Sequence, residues 1–247
     1  MSDVTLDAQA AMVKTSPRRI ARLAGVFQLL EGAAATFGQV YLLSFFIVAR
    51  NPAGTAERIL ANEPLFQVGF AISIIAIGFH LARALLMFEL LKIVRKGIAK
   101  FALLIIVVGC AIQAVTSLLY IAPLAILRSP IIGLQVNQLQ DVSYMLLRLN
   151  GFAFNIYLVF FGFWCLLTGF LIYKSSFMPR ILGVLLMVTG IGWMLNLYPL
   201  IAQQAATVMM VAAAIGEIPL LIWLLVRGVN NEKWWDQAGA AAALPGP

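Results

Sequence analysis

An all-α integral membrane bundle of six transmembrane helices is the fold this sequence predicts. Three observations carry the prediction: an excess of apolar residues, their division into six long runs, and an alternation of charge between the connections. Of 247 residues, 62% are apolar and 11% are charged, against roughly a quarter charged in an ordinary soluble domain. Mean hydropathy is +0.96. No single water-soluble core hides that much apolar surface, so lipid is the solvent for most of it.

Each run suits a bilayer that takes about 20 residues per helical crossing. The predicted spans are Leu23 to Val48, Leu65 to Leu91, Phe101 to Leu127, Tyr144 to Tyr173, Ile181 to Ala202 and Ala206 to Val226. They form one transmembrane domain over residues 17–229. Residues 1–16 are polar and read as a mobile cytoplasmic tail, and residues 230–247 as an interfacial or disordered cytoplasmic tail. The first ten residues hold Asp3 and Asp7, and the apolar run after Arg22 is too long for the core of a cleavable signal peptide.

Local signals mark the ends. Ser16 and Pro17 predict a helix start, with Ser as the cap and Pro at the first helical position. Thr55 is expected to cap a short helix over Ala56 to Asn62. Ser129 and Pro130 are expected to open an amphipathic segment through Leu134, Val136, Leu139 and Val142. Pro179 follows Ser175 and Ser176 and stops the fourth helix. Trp234 and Trp235 suit a membrane interface, and the ending from Gly239 is of low complexity.

The net charge is +7, and its distribution sets an orientation. Lys14, Arg18, Arg19 and Arg22 precede the first span. Lys92, Arg95, Lys96 and Lys100 fill the second connection, Lys174 and Arg180 the fourth, and Arg227 and Lys233 follow the sixth span. The alternate connections carry Arg50, Glu57, Arg58 and Glu63, then Arg128 and Asp141, then the uncharged pair Gln203 and Gln204. The positive-inside rule therefore predicts both termini in the cytoplasm. Clusters of this kind contact anionic lipid, so the partner implied is the bilayer and not nucleic acid.

Few residues can carry chemistry. Cys110 and Cys165 sit inside apolar runs as small buried hydrophobes. The chain has one histidine, which excludes a two-histidine metal site. There is no nucleophile elbow, phosphate loop or metal-ligand cluster, and no lysine lies mid-span to hold retinal. No metal and no cofactor is called for. Four ionisable groups fall deep in the spans: Glu31, His80, Arg83 and Glu217. His80 and Arg83 share a helix face, and charge at mid-depth costs several kcal/mol unless it is paired or hydrated. The simplest expectation is one cluster of Glu31, Arg83 and Glu217 with His80 beside it, and with Gln28, Gln113, Asn155 and Asn196 supplying hydrogen bonds. Gly216 and Pro219 flank Glu217, and Pro219 frees the carbonyl of Ile215 from its helix bond.

The stretch Phe160-Phe161-Gly162, Cys165 to Gly169, Phe170 to Tyr173 and Ser176 to Val184 resembles the signature of the domain-of-unknown-function 4386 family. So do Thr55 to Phe66 and Gly216 to Val229. The resemblance implies a bacterial multi-pass protein of the inner membrane and brings no assigned activity. Members of that family carry His near positions 150 and 164 and Asp near 155, where this chain has Asn150, Trp164 and Asn155.

Three functional readings stand open on the sequence. The first is binding or transport of a small solute or proton through the polar cluster, which for six helices implies a homo-oligomer and a wet cavity reaching Glu217. The second is a non-catalytic scaffold or regulatory partner with a closed, structural ion-pair cluster. The third is an intramembrane acid–base enzyme, which needs a cleft joining His80 to Glu31 or Glu217.

Overall fold

The computed structural model describes residues 16–129 and 133–243. Among these the chain is all-α, with eight helices and no strand. We number them α1 (Pro17–Phe46), α2 (Pro52–Ala61), α3 (Glu63–Leu91), α4 (Lys96–Arg128), α5 (Val136–Lys174), α6 (Arg180–Leu197), α7 (Pro199–Val226) and α8 (Asn231–Ala243). Six of them, all but α2 and α8, contain a segment long and apolar enough to cross a membrane. The chain is a multi-pass membrane protein.

The six spans form a closed ring. Contacts run from α1 to α3, α3 to α4, α4 to α5, α5 to α6, α6 to α7 and α7 back to α1. Short connections make sequence neighbours antiparallel neighbours, and the contact of α7 with α1 closes the ring and seats α1 between α3 and α7. The short helix α2 lies at the end opposite the chain termini, against α4 and α5. We call that end the far face and the other the terminal face.

The tightest seam joins α5 to α6, and four glycines explain it. A Cβ added to Gly162 would lie 2.8 Å from the carbonyl oxygen of Gly190, and one on Gly190 would lie 2.7 Å from that of Gly162. Gly169 and Gly183 oppose each other in the same way, at 2.7 and 2.5 Å. Pairs seven residues apart on each helix bring the backbones into contact at two levels, as small residues do in lipid. Thr189 Oγ1 donates to the carbonyl of Ala212 at 2.7 Å and ties α6 to α7.

Several ends differ from the sequence expectation. The fifth span does not reach Ala202: α6 closes in a short 3₁₀ turn over Leu195–Leu197, and Pro199 begins α7. Proline lacks the N–H to continue a helix and suits the first position of a new one. The fourth span starts at Val136 and not near Tyr144, because Gln135 and Gln138 close a reciprocal capping box there. Pro130 lies outside the described residues, as do 1–15. Thr55 does not cap α2. Asn51 does, accepting from the N–H of Gly54 at 2.9 Å, while Thr55 bonds back to the Asn51 carbonyl at 3.0 Å. Ser16 occupies the cap position of α1 but makes no cap bond.

Ser16 bonds to the tail instead. The tail from 231 to 243, which the sequence leaves interfacial or disordered, is helix α8. Gly228, at φ 67°, turns the chain after α7, and its N–H bonds to the Trp223 carbonyl at 2.8 Å. Asn231 accepts from the N–H of Arg18 at 3.0 Å and donates to Ser16 Oγ at 3.0 Å. Trp234 Nε1 donates to the Leu90 carbonyl at 3.0 Å, and Gln237 Oε1 accepts from Ser176 N–H and Oγ, each at 2.9 Å. Tertiary bonds of this kind order a sequence whose own composition specifies little.

Candidate functional site in the centre of the ring

Three of the four expected charges meet in the ring interior. Glu31 of α1 receives Arg83 of α3 at both oxygens: Nη2 donates to Oε1 at 3.3 Å and Nε lies 3.0 Å from Oε2. The second separation is that of an ion pair, but the Nε–H is not aligned, and neither Nε nor Oε2 has a hydrogen-bond partner among the described residues. His80 completes the group. Its Nδ1 is 2.9 Å from Glu31 Oε1 and 2.7 Å from Tyr157 Oη, and its Nε2 is 3.2 Å from Arg83 Nη2. A guanidinium only donates, so Nε2 must accept and the proton sits on Nδ1, facing the carboxylate. That pattern assigns a neutral imidazole; a second proton on Nε2 would face a donor.

Aromatic side chains of α5 seal this group. Arg83 lies 4.7 Å from the ring centre of Trp164 and 5.5 Å from that of Phe161, a cation–π arrangement favoured where water is excluded. His80 sits edge-on to Tyr157, Phe161 and Trp164. These three rings fall at i, i+4 and i+7 on α5 and stack on one another. The sequence reading missed them, although that spacing already places them on one helix face. Residual exposure is 9% for Glu31, 1% for His80 and 3% for Arg83.

Glu217 is elsewhere. Its Oε1 accepts from Trp193 Nε1 of α6 at 3.0 Å, and it forms no salt bridge among the described residues. Trp193 packs on Phe161 with ring centres 6.3 Å apart, and Phe161 in turn lies against Arg83. The sequence reading left one carboxyl group without a cation, and in the structure that group is the half-buried Glu217.

The supporting polar residues scatter. Gln28 donates to the backbone carbonyl of Glu217 at 3.1 Å, not to a carboxylate. Asn196 donates to the Trp193 carbonyl at 2.9 Å. Gln113 is buried on α4, and Asn155 lines a groove near the far face.

A second polar pair went unforeseen. Gln39 Nε2 donates to Asn150 Oδ1 at 2.8 Å, and Asn150 Nδ2 donates to the Thr116 carbonyl at 3.3 Å. Gln39 lies in a π-helical stretch of α1, Thr36–Leu42, where one extra residue per turn shifts the inward-facing register. Asn150→Leu is expected to lower stability by about 1–2 kcal/mol by stranding the Gln39 amide. Gln39→Leu in the same chain should recover most of it, as read by thermal unfolding in lipid.

No solved structure is a significant match to the chain. A protein of Archaeoglobus fulgidus described as "Uncharacterized protein" is 34% identical over 71 residues, or 28% of this chain and 43% of that one. The chain thus covers under half the length of that relative. The family described as Domain of unknown function (DUF4386) matches residues 23–228, which takes in nearly all of the six-helix ring. The chain belongs to the DUF4386 family.

Proposed function

We propose that the protein is a non-catalytic membrane scaffold or regulatory partner, and that its central cluster is a structural lock joining α1 and α3 to α5. The observation that carries this reading is the burial of the ion-paired group Glu31, His80 and Arg83 under the three α5 rings. A solute path needs water at these charges, and an acid–base enzyme needs a cleft at His80. Both ask for access that a 1% exposed imidazole walled by aromatic rings does not offer. In this reading the basic flanks face the cytoplasm and the bilayer is a bacterial inner membrane. The test is reconstitution into liposomes carrying an internal pH dye under an imposed proton gradient. The expected leak equals that of empty liposomes; a leak abolished by Arg83→Gln or His80→Gln would overturn the scaffold.

One observation favours a second reading, in which a proton or small cationic solute binds at Glu217. This carboxylate is half-buried, mid-span beside Pro219, and held by one indole N–H. Such groups near a helix break resemble ion sites of transporters. A lipid-soluble carbodiimide is expected to modify Glu217 and spare Glu31, whose two oxygens face Arg83 and His80. Peptide mass mapping reads the outcome, and labelling of Glu31 instead would remove the distinction. Glu217→Gln should leave thermal stability within about 1 kcal/mol, because the amide oxygen still accepts from the Trp193 indole N–H.

A further inference from the structure

A groove of about 320 Å³ opens near the far face, between the end of α1 and α5, beside Leu43, Ile47, Arg148, Phe152 and Asn155. Gly151 forms its floor, and no atom lies within 4 Å of where its Cβ would stand. The lining is therefore apolar on both walls with one cation and one amide.

Depth and charge say what fits. Along α5, Arg148 is about 39 Å from Lys174 at 1.5 Å per residue, beyond the roughly 30 Å of a hydrocarbon core. Arg148 therefore reaches headgroup level when Lys174 lies at the opposite interface. Helical side chains lean toward their own N-terminus, which on α5 is away from the hydrocarbon, the direction in which arginine snorkels. Arg148 is exposed and makes no salt bridge among the described residues, unlike Arg128 of the same face, which pairs with Glu63. Asn155 lies two turns deeper on the same side of α5, half-buried, at the level of ester groups and upper acyl chains.

We propose that this groove holds one phospholipid. Its phosphodiester sits on the Arg148 guanidinium, which matches two phosphate oxygens in its fork geometry. Its ester carbonyl accepts from the Asn155 amide, and one acyl chain lies along Leu43, Ile47 and Phe152.

Native mass spectrometry of the full chain, delipidated in mild detergent and titrated with phosphatidylglycerol, tests this. Wild type is expected to retain one lipid. Arg148→Gln should weaken retention by about tenfold, the worth of one charge-assisted contact. Gly151→Leu places side-chain carbons in the groove from a position whose Cβ meets no neighbour within 4 Å, so it should abolish retention while the unfolding temperature stays close to the wild-type value. Diacylglycerol, which lacks the phosphate, should bind wild type no better than it binds Arg148→Gln. Three results would overturn the proposal. The first is lipid retention by both variants equal to wild type, the mark of ordinary annular lipid. The second is displacement of the adduct by millimolar glycerophosphate, the mark of a soluble phosphate site. A lipid-free dimer split by Gly151→Leu would assign the groove to a second copy.

Discussion

Gly183→Val is expected to yield no stable bundle. The new Cβ would stand 2.5 Å from the Gly169 carbonyl oxygen and 2.6 Å from the Tyr173 nitrogen. Both are backbone atoms of α5, so no side-chain rotation relieves the clash. Overpacking a core that can adjust costs about 1–3 kcal/mol. Here α5 and α6 must separate along their whole seam, which also breaks the Gly162–Gly190 contact one level away. We expect a loss above about 4 kcal/mol, the range reserved for changes that break a fold. The readout is the yield of monodisperse protein after detergent extraction, with unfolding temperature for whatever survives. Gly78→Ala is the matched control, since nothing lies within 4 Å of its Cβ position; removing a helix-interior glycine there should gain up to about 1 kcal/mol. A Gly183→Val protein as stable as wild type would show that the seam is slack.

Arg83→Gln should cost about 3–5 kcal/mol, because it leaves the Glu31 carboxylate buried without its cation. It also removes the stacked guanidinium from Trp164. Glu31→Gln is expected to cost less, since Arg83 keeps its two aromatic faces and the His80 nitrogen. The double variant should be more stable than Arg83→Gln alone, with a coupling of about 2 kcal/mol between the two changes. Thermal unfolding in lipid nanodiscs measures all four chains. Strict additivity would mean that the pair seen at 3.0 Å contributes nothing to the fold, and the scaffold reading would lose its support.

The number of spans and their class were legible because a run of apolar residues is a property of sequence alone. Partner choice was not. Glu31, Arg83 and Glu217 all lie mid-span, and depth follows from counting residues. Which of them touch depends on how each helix is turned about its axis, and a segment apolar on every side gives no period from which to read that turn. Hence Glu217 fell to Trp193 while Glu31 took Arg83. The same blindness hid Tyr157, Phe161 and Trp164, because lipid-facing and interior rings look alike in α5. Gly162 and Gly169 of α5 and Gly183 and Gly190 of α6 stand seven apart in the sequence, a spacing of small residues that suits close packing whatever the partner. The tail was not, because Asn231, Trp234 and Gln237 find their bonds on three other parts of the chain.

The placing of α1 between α3 and α7 has a consequence for biosynthesis. A chain made from its N-terminus inserts its first span long before the span that completes its seat. Until α7 arrives, the nascent protein is an open arc in which Gln28 has no carbonyl to meet and one flank of α1 faces lipid or a chaperone. Helix α8, made after α7, then fastens onto Ser16 and Arg18, which precede or begin the first span. The seat of α1 is therefore complete only after all six spans have been made.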